Sequence, residues 1–226
     1  KFGLPKEVIF CKKCTISNQR PNSAIEYSHN KNTIKKTIKI NIDGICDSCL
    51  HAHNKKQGID WNERDKELKD LCDKHRSKDG KYDCIVPGSG GKDSVFAAHI
   101  LKYKYGMHPL TTTWPPILYT NYGYQNYLNW IKSCKVENIA AKRDEKTMIT
   151  LTRLAIQNLF HPFQTFILGQ KIFATKIALK YKIPLVFFGE NEAEHGNPIA
   201  DNSSSIRKSS YFASNAMDKI RLGGVL

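Results

Sequence analysis

No run of about 18 apolar residues occurs in this sequence, and its first residues lack the apolar core of a secretion signal. Neither a membrane-spanning helix nor an exported form is expected, and the expected setting is the cytoplasm. Internal repeats are missing, which excludes solenoids and propellers. So is the Gly-x-x-x-x-Gly-Lys-Ser/Thr pattern of the Walker loop. Acidic residues are few: 21 Asp and Glu stand against 35 Lys and Arg, a formal net charge of +14. An initiator methionine is absent, since the chain opens on Lys1, and no polar tail follows Leu222-Gly223-Gly224-Val225-Leu226. A piece of a longer protein is therefore expected.

The positive charge fits a nucleic-acid partner, a polyanionic nucleotide substrate or a lysine-rich base composition. Runs such as Lys31 to Lys39 and Lys171 to Lys182 lie among Asn and Ile, the mixture that biased base composition produces, so that plainer reading is preferred. At 226 residues the chain can bury one α/β core and carry a small appendage. Four of its seven cysteines form two pairs, Cys11-Lys12-Lys13-Cys14 and Cys46-Asp47-Ser48-Cys49. In a cytosolic chain that spacing points to metal rather than to disulfides. Cys72, Cys84 and Cys134 stand alone.

The two pairs can set four thiolates tetrahedrally around Zn²⁺ in a ribbon that stabilises a segment too short for its own core. An iron–sulfur cluster accepts the same four ligands and stays open as the rival. His51 and His53, beside the second pair, read as surface residues. Between the pairs, the alternating Thr33 to Ile40 predicts a hairpin strand. Residues 1–58 are thus expected to be a zinc-ribbon-like segment, and 59–226 the main domain.

In the main domain, Asp60 with Glu63 caps a helix expected over about 60–76. The buried run Tyr82 to Pro87 predicts a strand, and Asp93 to Tyr105 a helix stopped near Gly106. A strand at Pro109 to Trp114, a helix through Tyr127, Leu128 and Ile131, a short strand at Val136 to Ala140, and helices over about 144–160 and 165–181 follow. Pro184 to Phe188 reads as one more strand inside a parallel sheet. The alternation predicts a doubly wound α/β domain. Asn197 to Ser210 reads as a loop.

One motif carries chemistry. Ser89-Gly90-Gly91-Lys92-Asp93-Ser94 lies between a predicted strand and a predicted helix. Glycines there let backbone amides turn inward, where unpaired N–H groups and the helix dipole attract phosphate. Ser89 and Ser94 add hydroxyl donors, and Lys92 a mobile cation. Asp93 cannot favour phosphate directly, so its useful role is to hold Mg²⁺ against the phosphate oxygens. The plain alternative is a glycine turn before an ordinary helix.

This loop resembles the PP-loop, Ser-Gly-Gly-x-Asp-Ser, of ATP pyrophosphatases. The resemblance implies cleavage of ATP between the α- and β-phosphates, with pyrophosphate held by the loop and AMP passed to a substrate oxygen. It also implies an adenosine pocket over the first two strands, lined by Pro87, Gly88, Thr113 and Trp114. For Trp114, core packing is the competing reading.

Taken together, the ribbon, the Ile59-Asp60-Trp61 helix start and the loop resemble the N-acetyl sugar amidotransferase family, whose members make acetamidino sugars for bacterial surface polysaccharides such as O-antigen and for flagellar glycans. Further residues carry the likeness: Arg20-Pro21, Gly44-Ile45, Leu118-Tyr119-Thr120, Leu151 to Ala155, Asn158-Leu159, Pro162-Phe163-Gln164, Gly169-Gln170-Lys171 and Gly189-Glu190-Asn191. Family members continue past the Leu-Gly-Gly-Val found here at 222–225. The resemblance implies that ATP adenylates the amide oxygen of a nucleotide-linked N-acetyl sugar and that ammonia, supplied by a separate glutaminase, displaces AMP. Glu190 is then a candidate for Mg²⁺ or sugar, and Asn191, Glu194 and His195 are polar neighbours. Arg153, Gln164, Gln170 and Lys171 are candidate contacts to the acidic sugar nucleotide, against the reading of exposed helix faces. The alternative is a PP-loop tRNA-thiolating enzyme, which needs a sulfur-handling cysteine that neither Cys84 nor Cys134 convincingly supplies. A non-catalytic zinc-ribbon module is a third.

Overall fold

A computed structural model describes residues 4–20, 34 and 36–190. Two compact units divide the described chain, with the boundary between Lys66 and Glu67. In the smaller one, two tight turns carry the cysteine pairs. Each turn is closed by an isolated antiparallel bridge, Phe10 with Ser17 and Ile40 with Cys46. The Lys12 amide donates to the Gly44 carbonyl at 2.9 Å and joins the two turns. Helix α1, Asp47–Gln57, starts directly on the second pair, with Cys46 as its N-cap.

Two expectations change here. The hairpin strand over 33–40 is reduced, among the described residues, to single bridge positions such as Ile40. Helix α1 had no counterpart in the sequence reading, because it buries no residue and so shows no apolar stripe.

The larger unit is a parallel sheet between helices. Helix α2 is Trp61–His75, and β1, Cys84–Pro87, leads into α3, Lys92–Tyr103. Strand β2 is Pro109–Thr113, α4 Asn121–Cys134 and β3 Glu137–Ala140. Helices α5, Glu145–Leu159, and α6, Gln164–Tyr181, precede β4, Leu185–Val186. The strand order is β3-β2-β1-β4, all parallel. The doubly wound α/β expectation holds. Strand β4 is shorter than the apolar run 184–188 suggested. The Phe187 amide still reaches the Ile85 carbonyl at 2.8 Å, but Phe188 is already exposed.

Side chains alternate across the sheet as the pleat requires. Cys84 and Val86 face a core made with Ala98, Leu101 and Trp130. Ile85 and Leu110 face the other, made with Ala174, Ile177 and Ala178 of α6. The chain steps from β1 outward to β3, then returns through α5 and α6 to the far side of β1. That reversal makes β1 and β4 the topological switch point, at whose carboxyl ends open α/β sheets bind ligands. Among the described residues, no helix is long and apolar enough to cross a membrane.

Candidate functional site

The Ser89–Ser94 loop leaves β1 at this switch point. Gly90 adopts φ +90°, and a Cβ there would lie 2.7 Å from the Tyr127 amide nitrogen, so α4 backs directly onto the loop. Helix α3 begins at Lys92 after an extended Gly91, and no side chain caps it. Its first-turn amides therefore have no side-chain acceptor, the placement that a phosphate-holding helix start requires. The Ser94 hydroxyl is turned inward, donating to the Gly91 carbonyl at 3.0 Å, so it braces the loop. Ser89 is exposed. Lys92 Nζ lies 2.8 Å from Asp93 Oδ1, and both side chains are exposed.

The other side of the switch point is the segment that follows β4. A Cβ on Gly189 would come within 2.6 Å of the Asp93 carbonyl carbon, so Gly189 lies against the first turn of α3 and brings exposed Glu190 to its edge. Asp93 and Glu190 are the carboxylates there that can hold Mg²⁺. Asn191, Glu194 and His195 fall outside the described residues.

Strand β2 supports the loop from beneath. The Gly88 amide donates to the Thr112 carbonyl at 2.9 Å, and the Thr113 hydroxyl to the Gly88 carbonyl at 2.8 Å. Thr113 is fully buried, so it fastens the loop rather than presenting its side chain to solvent. Asn138 of β3 donates to both the Thr111 and Thr113 hydroxyls, at 2.9 and 3.0 Å, and accepts from Tyr127 Oη at 2.8 Å. Trp114 is half-buried, packs on Gly169 and Phe173 of α6, and leaves its buried indole N–H without a partner among the described residues. Pro87 and Gly88, at the carboxyl end of β1, are half-buried. Arg153 on α5 and Gln170 on α6 are exposed, Lys171 is half-buried, and Gln164 is buried at the start of α6.

Two features went unnoticed in the sequence. Tyr119, Tyr124 and Tyr127 form an aromatic cluster, with centroids 5.5 to 6.3 Å apart, against the loop-facing end of α4. Beyond it, Arg143 Nη2 donates to the Pro116 carbonyl at 2.6 Å and ties the turn after β3 to the turn after β2. The positional rule that picked out Glu190, a polar residue just past a strand's carboxyl end, would also have found Arg143.

In the smaller unit, Cys11, Cys14, Cys46 and Cys49 place their sulfurs within 4.8 Å of one another. Two of the separations are 3.6 and 4.0 Å. Four thiolates about 2.3 Å from one tetrahedral ion lie about 3.8 Å apart, so the set fits a single ion. A cubane cluster binds each thiolate on a different iron and needs them farther apart. Burial pushes the Cys11 thiol up, yet amide donors, including Lys13 at 3.4 Å and Cys46 at 3.3 Å, outweigh it and hold it at about 6. The Cys49 thiol is pushed up to about 12 by its hydrogen-bonded neighbour Cys14, by burial and by the other two sulfurs. Four sulfurs this close cannot all ionise without a cation among them.

No known family model matches the chain. An uncharacterized protein of Methanocaldococcus jannaschii is 32% identical over 110 residues, which is 49% of this chain and 39% of that protein. The match therefore spans well under half of the relative. Among solved structures, NMN synthetase from Francisella tularensis aligns with TM-score 0.42 and 18% identity over 60% of this chain and 57% of that one. NH3-dependent NAD synthetase from Campylobacter jejuni gives 0.44 and 12% over 61% and 59%. A U34-tRNA thiolase from Methanococcus maripaludis, solved with its 4Fe–4S cluster, gives 0.39 and 15% over 84% and 60%.

Proposed function

We propose that this chain is the ATP-cleaving part of an amidotransferase, which adenylates the amide oxygen of a nucleotide-linked N-acetyl sugar and lets ammonia displace AMP. One observation carries the ATP-cleaving reading: Ser89–Ser94 leaves a buried central strand at the sheet's switch point and opens an uncapped helix, with Gly189, next to Glu190, packed on its first turn. The acceptor rests on the wider sequence resemblance, from Cys11 to Asn191.

The residues can divide the work simply. Amides of the loop and of the first turn of α3 hold the β- and γ-phosphates, where the charge of the leaving pyrophosphate gathers. Lys92 can turn from Asp93 to that charge. Asp93 and Glu190 are the groups to hold Mg²⁺, which would offset charge on the phosphates. Pro87, Gly88 and Trp114 border the adenosine. The amide oxygen attacks the α-phosphorus as pyrophosphate leaves. Ammonia then adds to the activated carbon, and AMP departs with the former amide oxygen, leaving an amidine. Ammonia comes from a partner glutaminase in this reading. Arg153, Gln170, Lys171, Asn191 and His195 remain candidate sugar-nucleotide contacts. The four cysteines hold a structural zinc ion.

tRNA thiolation is the rival reading. In its cysteine-dependent form it needs a reachable, ionisable thiol besides the four clustered cysteines. Cys72, Cys84 and Cys134 are all buried, and burial pushes each thiol up, with Asp83 adding to the effect at Cys84. That weighs against it.

Asp93→Ala is the direct test. With ATP, ammonium and a panel of nucleotide-linked N-acetyl sugars, the full-length protein should release pyrophosphate, and the variant should lose about 10²-fold or more of that rate. Undiminished release would remove Asp93 from the mechanism. Sulfur transfer to tRNA would replace the sugar reading.

A further inference from the structure

A continuous tract leads from the phosphate loop to Arg143. Gly90 rests on the backbone of Tyr127, and Tyr127 and Tyr124 stand 6.3 Å apart. Tyr119 lies 5.5 Å from Tyr124 and 6.1 Å from Tyr127. Arg143 Nη2 is bonded to the Pro116 carbonyl, in the same turn and three residues before Tyr119, and its charge counters in part the burial that pushes the Tyr119 phenol up. The tract follows the carboxyl edge of β2 and β3, on the opposite side of the loop from β4.

Three properties make it a binding surface rather than packing. Tyr124 is 50% exposed, so its ring is open to a ligand. Arg143 is half-buried and held in place by its bond to the Pro116 carbonyl, which uses one of five N–H donors. No carboxylate pairs with Arg143 among the described residues. A fixed guanidinium with spare donors, on the turn that leads into the Tyr119–Tyr124–Tyr127 cluster, suits a phosphate ester joined to a flat or ring-shaped group.

We infer that Arg143 and the Tyr119–Tyr124–Tyr127 cluster form the acceptor subsite, with Arg143 binding the diphosphate of a nucleoside-diphosphate sugar and the tyrosines stacking on its rings. The inference rests on the amidotransferase reading and adds where the acceptor's charge is held. The tract begins at the loop, so an acceptor anchored at Arg143 can extend toward the α-phosphate. Removing a charge-assisted contact of this kind weakens binding about tenfold or more.

The test measures binding of UDP-N-acetylglucosamine, of UDP and of an α,β-non-hydrolysable ATP analogue with Mg²⁺ to the full chain and to Arg143→Ala, Arg143→Lys and Tyr124→Ala. Arg143→Ala is expected to weaken both uridine nucleotides about tenfold or more while changing ATP-analogue affinity less than about threefold. Arg143→Lys should lie between, since lysine keeps the charge and loses the fork. Tyr124→Ala should weaken the uridine nucleotides with an unchanged melting temperature. Equal losses for the ATP analogue would place these residues in the adenosine site and overturn the inference. So would unchanged UDP binding in both Arg143→Ala and Tyr124→Ala. Wild-type protein that binds the ATP analogue and a short RNA but neither uridine nucleotide would overturn the amidotransferase reading, and this inference with it.

Discussion

Two neighbouring glycines in the Ser89–Ser94 loop face opposite constraints. Gly90 combines φ +90° with the backbone of α4 at 2.7 Å. Gly91 has φ −71°, and a Cβ there would meet nothing within 4 Å. Gly90→Ala should therefore destabilise the fold by at least about 1–3 kcal/mol, the usual cost of a strained backbone position, in a urea titration. Gly91→Ala should change stability by no more than about 0.5 kcal/mol. If phosphate comes close to that backbone, the same change should weaken ATP-analogue binding measurably. A Gly91→Ala protein with normal stability and normal nucleotide affinity would show that the open space there is not filled by ligand. Gly189 belongs with Gly90, since its neighbour is the backbone of Asp93.

Caps set where several elements start, and they carry their own pH dependence. Asp144 opens α5 by accepting from the Thr147 amide at 2.8 Å, and its hydrogen bonds with Thr147 hold the carboxyl below its ordinary value. A depressed carboxyl pKa means that its stabilisation is complete above the unfolded value, near pH 4, and is lost as pH falls through the folded value. The difference in melting temperature between wild type and Asp144→Ala should thus be constant near neutrality and shrink below about pH 4. A gap that widened on acidification would contradict the cap. This helix and its neighbours were legible in the sequence because amphipathic stripes and buried strands alternate from Cys84 onward. Helix α1 was not, since its residues are polar all round and its start is fixed by Cys46. The run Pro184 to Phe188 overstated β4, because the chain there must turn to lay Gly189 on α3. The roles of Thr113 and Asn138 were out of reach for another reason. Their bonds join different strands, and no local pattern encodes which hydroxyl meets which amide.

For the whole molecule, the metal is the most direct check. Zinc at the four cysteines predicts one zinc per chain by elemental analysis, no iron, and no broad visible absorption. Chelation should lower the melting temperature, and Cys49→Ser should lower the zinc content. Iron with sulfide in that stoichiometry would overturn the zinc assignment. The topology has a kinetic side as well. Strands β1 and β4 pair at Cys84 with Leu185, closing a loop of about a hundred residues with a ladder only two residues long on the β4 side. Such a contact is costly to close and weakly held, so it forms late in folding and opens early in unfolding. The carboxyl ends of the two strands do not come together until that closure is made. A nucleotide that needs residues from both ends therefore acts as a latch on the last step: it should slow unfolding while leaving the rate of folding almost untouched.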